Sequence, residues 1–384
     1  MLLPSNVPAA VLPLLGREWS ASAVELGWVV GAYMAGYALA VIIVLPLTDR
    51  FPTRHVIVGG AAASVAASLA FALLASDPVS AVVLRVLACA GLAGVYMPCI
   101  LVVAATTGAE RRGLAVGLFV ASFYLGSAAS FLYAGVVIGD TTGWRDAALS
   151  SAGVAAAAIP LALASSVALP PGGGRARLDI SVLRDGALAR TIFAYSGHAW
   201  ELFASRAWIA AFLAGTLVAR GAGSLEATAE AGRWSALILA AGIPGVFVGG
   251  WISDHLGRAR TAAAAAFGSG ALALGFGALG GASWPLLLAV GFLYSGLMAA
   301  DSAVYSTSVT ELAPERQLGS AQALQAFIGF SAGAVGPPAA GLAIDAGLGW
   351  VAVFAIAGAA SVLGGLALIP DLRGRRAERR EVGE

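Results

Sequence analysis

Three ionisable side chains crowd a stretch that is otherwise free of charge. In SGHAWELFASRAW (196–208), His198, Glu201 and Arg206 fall within nine residues, and no other charge occurs between Thr191 and Val218. Asp301 and Arg85 interrupt two further apolar runs in the same way. A histidine and a carboxylate can pass or hold a proton, and an arginine can hold an anion. At 100° per residue, His198 and Glu201 lie about 60° apart on one helix face, while Arg206 lies about 140° from Glu201. All three converge only if the helix breaks near SGHAW, where Gly197 permits a break. Tyr305 and Ser302 stand close to Asp301 in the chain.

These side chains sit in an unusually apolar sequence. The 384 residues are 59% hydrophobic and 11% charged, against about 25% charged in soluble domains. This composition reads as a polytopic membrane protein with the lipid bilayer as its surroundings. The net charge of +1 suggests no nucleic-acid partner. All 22 basic residues are arginine. Cys89 and Cys99 fall on one helix, about 15 Å apart, too far for a disulfide.

Membrane spans are expected near 24–47, 56–76, 79–105, 114–138, 147–168, 191–216, 232–252, 261–281, 284–308, 320–343 and 348–369, with GGASWP (280–285) turning between two of them. Residues 1–15 are apolar but too short to span. The loops around 48–55, 106–113, 169–190, 253–260 and 311–317, with the tail after 370, hold 16 arginines, and the opposite loops hold four. The positive-inside bias therefore places the first set, including the central loop and the C-terminus, in the cytoplasm.

The chain also repeats itself. Asp49 of LPLTDRFPTR (45–54) and Asp254 of GGWISDHLGR (249–258) are 205 residues apart. The same offset relates AER (109–111) to PER (314–316), and GW recurs at 143–144 and 349–350. Two homologous halves are the expectation, 1–168 and 191–370, joined by the loop 169–190 and followed by the tail 371–384. By this offset Met1 corresponds to Arg206, so the sequence begins about halfway through its first span, giving about 11.5 spans. The competing expectation is that 1–15 forms a short interfacial segment.

On these residues the chain resembles the major facilitator superfamily. PLTDRFPTRH (46–55) and GGWISDHLGRAR (249–260) look like two copies of that family's loop between helices two and three. LRVLACAGLAG (84–94) looks like its fourth-helix motif, and GWR (143–145) like the start of its sixth helix. The departures are Pro46 and Pro52, where the family's loop carries glycines. The resemblance implies an all-α membrane protein of two six-helix halves related by pseudo-twofold symmetry, with its site near the midplane at the repeat interface. It implies a secondary transporter working by alternating access in a bacterial inner membrane, as a monomer. A cytoplasmic gate of Asp49, Arg50, Arg54, Asp254 and Arg258 is implied as well.

The residues expected at a substrate and proton cavity are His198, Glu201, Arg206, Asp301, Arg85 and Tyr305. Three of them titrate, so protons are the expected coupling ion. The arginines tilt the substrate toward a small organic anion or zwitterion. The alternatives are a multidrug or metabolite exporter and a non-transporting receptor or assembly subunit of the same fold. No catalytic set, metal set or cofactor is expected. His55, His198 and His255 are far apart in the topology, and PGGGRAR (171–177) lacks the lysine of a phosphate-binding loop.

Overall fold

The computed structural model describes residues 1–44, 47–48, 50–140, 143–164, 169 and 178–372. Its helices are α1 (Val7–Ala10), α2 (Leu12–Trp19), α3 (Ala23–Val44), α4 (Thr53–Leu74), α5 (Pro78–Thr106), α6 (Ala109–Asp140), α7 (Trp144–Ala155) and α8 (Ala158–Ala164). Then follow α9 (Gly186–Ala219), α10 (Ser224–Ala240), α11 (Gly242–Leu256), α12 (Arg258–Ala278), α13 (Trp284–Ala300), α14 (Ser302–Leu312), α15 (Leu318–Asp345) and α16 (Gly349–Ala367). Among the described residues there is no strand, and 11 helical segments are long and apolar enough to cross a membrane. Backbone polar groups have no water to bond in hydrocarbon, so helices that satisfy them internally are what an apolar chain of this length can form.

The expected spans match these segments in order, and a short 3₁₀ turn over Leu279–Gly281 occupies the GGASWP connection. Both GW pairs mark helix starts, with α7 beginning at Trp144 and α16 at Gly349. The two copies of the charged loop differ in backbone. Gly257 precedes α12 at φ 90°, a left-handed conformation that favours glycine. Pro52, at the equivalent place before α4, sits at φ −53°, because its ring fixes φ.

Three of the spans are interrupted. α7 stops at Ala155 and α10 at Ala240. Pro160 and Pro244 follow, each removing a backbone donor and crowding the carbonyl four residues earlier. The third interruption, at Asp301 between α13 and α14, has neither proline nor glycine beside it.

Two compact units divide the chain. The first comprises Met1–Ala176 and Arg206–Ala240, the second Arg177–Ser205 and Ala241–Glu384. α9 is one unbroken helix of 34 residues, about 51 Å long, whose first part belongs to the second unit and whose last part belongs to the first. The break that Gly197 would permit at SGHAW is absent. Gly197 serves close packing instead: a methyl there would collide with the Ala360 carbonyl oxygen of α16.

In the first unit, α5 packs on α3 and α4, and α6 packs on α10. Val7, Ala9, Ala10, Val11, Leu12 and Leu15 are all buried, so the opening segment packs inside this unit rather than lying on its surface. In the second unit, α12 packs on α16 and α13, and α11 packs on α13.

Candidate functional site

The second unit buries a cluster of titratable side chains at the Asp301 interruption. His198 projects from α9 with Nδ1 2.7 Å from Asp301 Oδ1. Its other nitrogen, Nε2, lies 3.0 Å from Ser302 Oγ. Two consecutive residues thus grip the two nitrogens of one imidazole, and this grip accompanies a helix break that no proline explains. The ring stacks on Tyr195 at 5.9 Å and lies 5.8 Å from Tyr305. His198, Asp301 and Tyr305 are 2%, 1% and 1% exposed, whereas Ser302 keeps intermediate exposure. The Nδ1–Oδ1 approach is not aligned as a hydrogen bond, and the Tyr305 hydroxyl also lacks an aligned partner. Buried polar atoms left in this state are costly and uncommon.

Glu201, one turn further along α9, is fully buried. Ser269 Oγ of α12 donates to its Oε2 at 2.7 Å, and Tyr294 of α13 donates to Oε1 at 3.2 Å. Tyr294 is also within 2.6 Å of Ser205 Oγ. Arg206, 3% exposed, turns the other way, and its guanidinium lies 5.2 Å from the Tyr124 ring in the first unit. The convergence of His198, Glu201 and Arg206 expected from a broken helix does not occur. With α9 intact, the angular separation read from sequence sends Arg206 and Glu201 to different neighbours.

Arg85 of α5 is 4% exposed in the first unit. It donates to the carbonyl oxygens of Ser5 at 2.7 Å, Val29 at 3.2 Å and Pro4 at 3.4 Å, and it lies 4.3 Å above the Tyr33 ring. Among the described residues, the buried arginines belong to the first unit and the buried carboxylates and histidine to the second.

The charged loop of the second half forms a small network. Arg258 donates to Asp254, to Ser253 Oγ at 2.7 Å and to Glu311 at 2.9 Å. In the first half, Arg50 is exposed and Arg54 donates to the Leu163 carbonyl. Asp49 lies outside the described residues. Sequence reasoning missed Glu311, Ser269 and the linking role of Ser302. Each is a small or acidic side chain far in sequence from its partner, and only the adjacency of Asp301 and Ser302 offered a signal.

Membrane-length helices in two repeated halves, with ionisable side chains buried among them and a helix interrupted at one of them, define a multi-pass transport protein. The chain belongs to the Major Facilitator Superfamily, whose profile matches residues 2–227 and 222–384. No curated protein matches it. Among solved structures it is similar to a bacterial homolog of the human lysosomal transporter Spinster, in an inward-facing and unoccupied conformation. That match has a TM-score of 0.73 and 15% identity over 96% of this chain and 91% of that one. It is similar also to a D-xylose–proton symporter, with a TM-score of 0.75 and 15% identity over 96% of this chain and 94% of that one.

Proposed function

We propose that this protein is a proton-coupled secondary transporter of a small organic anion or zwitterion, working by alternating access. The observation that carries the proposal is the buried trio His198, Glu201 and Asp301. Each charge at the centre of a span costs roughly 2.5–3.5 kcal/mol on insertion scales, so three titratable groups kept there argue for use of the proton. The presence of two buried arginines, Arg85 and Arg206, in addition to the acids is what favours an anionic or zwitterionic substrate.

In this reading the halves 1–168 and 191–370 move against each other, with 169–190 and 371–384 in the cytoplasm of a bacterial cell and the protein acting as a monomer. The arginine bias of the loops supports that orientation. Asp49, Arg50, Arg54, Asp254 and Arg258 form the cytoplasmic gate, supported by the Arg258 network with Asp254 and Glu311.

The test begins with a thermal-shift screen of purified protein against small carboxylates and amino acids. The ligand found is then supplied to proteoliposomes under an imposed pH gradient. Accumulation against the ligand's own gradient, collapsed by a protonophore, is expected. Movement unaffected by the pH gradient would overturn proton coupling.

A further inference from the structure

We propose that the cavity between the end of α6 and the start of α10 binds the headgroup of an aminophospholipid from the surrounding bilayer, with the lipid phosphate on Arg233 and its ammonium between Glu226 and Glu230. Binding there is independent of what the protein carries across the membrane.

The cavity has a volume of about 780 Å³ and is lined by Ile138 of α6 and by a side of α10 that includes Glu226, Glu230, Arg233, Trp234 and Leu237. Both helices belong to the first unit and pack closely on each other. Their backbones approach at Gly135, where a methyl would collide with the Ala229 carbonyl oxygen.

The depth of the cavity follows from where charge stops. Residues 234–253 carry no charge, and a helix of that length covers about 30 Å, the thickness of the hydrocarbon core. The helical segment that contains them is 33 residues long, so its first residues project beyond the core. Arg233 therefore stands at the edge of the hydrocarbon, with Trp234 at the level that interfacial aromatics occupy. Glu230 and Glu226 lie about 4.5 and 10.5 Å farther out along α10, and Leu237 about 6 Å farther in. At 100° per residue the four positions 226, 230, 233 and 237 fall within about 60° on one helix face. From the core outward, this face is apolar, then cationic, then anionic. A phospholipid bearing an amine offers the complement in the same order: acyl carbons, phosphate, ammonium.

The opposite charges of the lining do not cancel each other. Glu230 and Arg233 are three residues apart on α10, a spacing that an ion pair could close. Instead Glu230 Oε1 accepts from Trp234 Nε1 at 3.1 Å, and Arg233 Nε donates to the Gly135 carbonyl oxygen of α6 at 3.2 Å. Among the described residues neither enters an ion pair. Each side chain is held by a neutral partner and keeps its charge for a ligand that carries both signs. Two carboxylates against one guanidinium leave the lining net negative, which disfavours a phosphoglycerol headgroup. A primary ammonium has three N–H donors for two carboxylates, whereas a trimethylammonium has none.

The test uses the full chain, delipidated in detergent and titrated with dioctanoyl phosphatidylethanolamine, phosphatidylglycerol and phosphatidylcholine, with bound lipid counted by native mass spectrometry. Phosphatidylethanolamine should bind about tenfold more tightly than either of the others, the worth of a charge-assisted hydrogen bond. Glu230→Gln keeps an oxygen for the Trp234 N–H, and together with Glu226→Gln it should remove that preference. Glu226→Gln alone alters only an exposed side chain and should lower the preference by about threefold, as the loss of a surface ion pair would; it serves if the double variant does not fold. Arg233→Gln should weaken phosphatidylethanolamine binding by about tenfold, for the same reason at the phosphate. Unfolding temperatures without lipid show which variants fold. Soluble phosphoethanolamine, the headgroup without its chains, should not displace the lipid at equal concentration. Displacement would assign the cavity to a soluble ligand and overturn the proposal. Equal binding of the three lipids, a preference that survives the carboxylate substitutions, or undiminished phosphatidylethanolamine binding in Arg233→Gln would each overturn it as well.

Discussion

His198, Asp301 and Glu201 are three titratable groups with different surroundings, and the difference assigns them different work. Glu201 is enclosed by hydroxyl donors from Ser269 and Tyr294, which satisfy it where it stands. Asp301 faces an imidazole whose second nitrogen reaches a partly exposed hydroxyl. Asp301→Asn keeps the size and shape of the side chain 2.7 Å from His198 but removes its ability to ionise. Ligand exchange across the bilayer should persist in this variant, and uphill accumulation driven by a pH gradient should fall at least about tenfold, which corresponds to roughly 1.4 kcal/mol. Parallel exchange and accumulation assays in proteoliposomes check it, and unchanged accumulation would show that Asp301 does not hold the proton site together. The types of these residues were legible in the sequence because charge is so rare in its apolar runs. Their pairing was not, because His198 and Asp301 are separated by about a hundred residues that only packing brings together.

Among the helices, an intact α9 and an interrupted α13–α14 position the cluster. The sequence suggested the reverse, since Gly197 offered a break in α9 and nothing in MAADSAVY marked one at Asp301. Gly197 is retained for contact: the backbone of α16 comes so close that a side chain has no room. Gly197→Ala should push α16 from α9 and destabilise the protein by about 1–3 kcal/mol, the usual cost of overpacking. A lower unfolding temperature in detergent checks this, and a temperature equal to that of the parent protein would show that the two helices separate freely. At the start of α5, Asp77 caps the helix, its carboxylate accepting from the N–H groups of Val79 and Ser80. Hydrogen bonds from the Ser80 backbone and hydroxyl hold this carboxyl below its ordinary range. A lowered folded value means that the ionised group stabilises the fold above the unfolded value, about pH 3.9, and that this is lost as pH falls through the folded value. Asp77→Ala should therefore be less stable than the parent at neutral pH, with the two curves converging in stronger acid. A gap that is constant across the acid range would contradict the cap.

For the molecule as a transporter, the charged loops are proposed to set the rate at which it changes state rather than its affinity. Arg258 bonds Asp254 and Glu311 at the junction of α11, α12 and α14, a place where a conformational change would have to exchange partners. Asp254→Asn should slow turnover while leaving ligand Kd within about threefold, since a gate shifts populations by a kcal/mol or so. Transport rates and equilibrium binding measured on the same preparation check it, and a hundredfold loss of binding in a folded variant would place Asp254 in the ligand site instead.

The sequence by itself determined the class, the number and order of the spans, the repeat and the family. Each of these follows from local properties: apolar length against bilayer thickness, turn residues, and a motif recurring at a fixed offset. Proline alone does not mark a break, since Pro160 and Pro244 follow two interruptions while Pro98, Pro337 and Pro338 lie inside continuous helices. Only the tertiary structure decided that α9 continues past Gly197, that Glu201 and Arg206 turn to different neighbours, and that Asp301 and Ser302 hold the two nitrogens of His198. Those facts depend on which helix faces lie together. An unbroken helix fixes the angle between its side chains, and so it assigns each buried charge to whichever neighbour that angle meets.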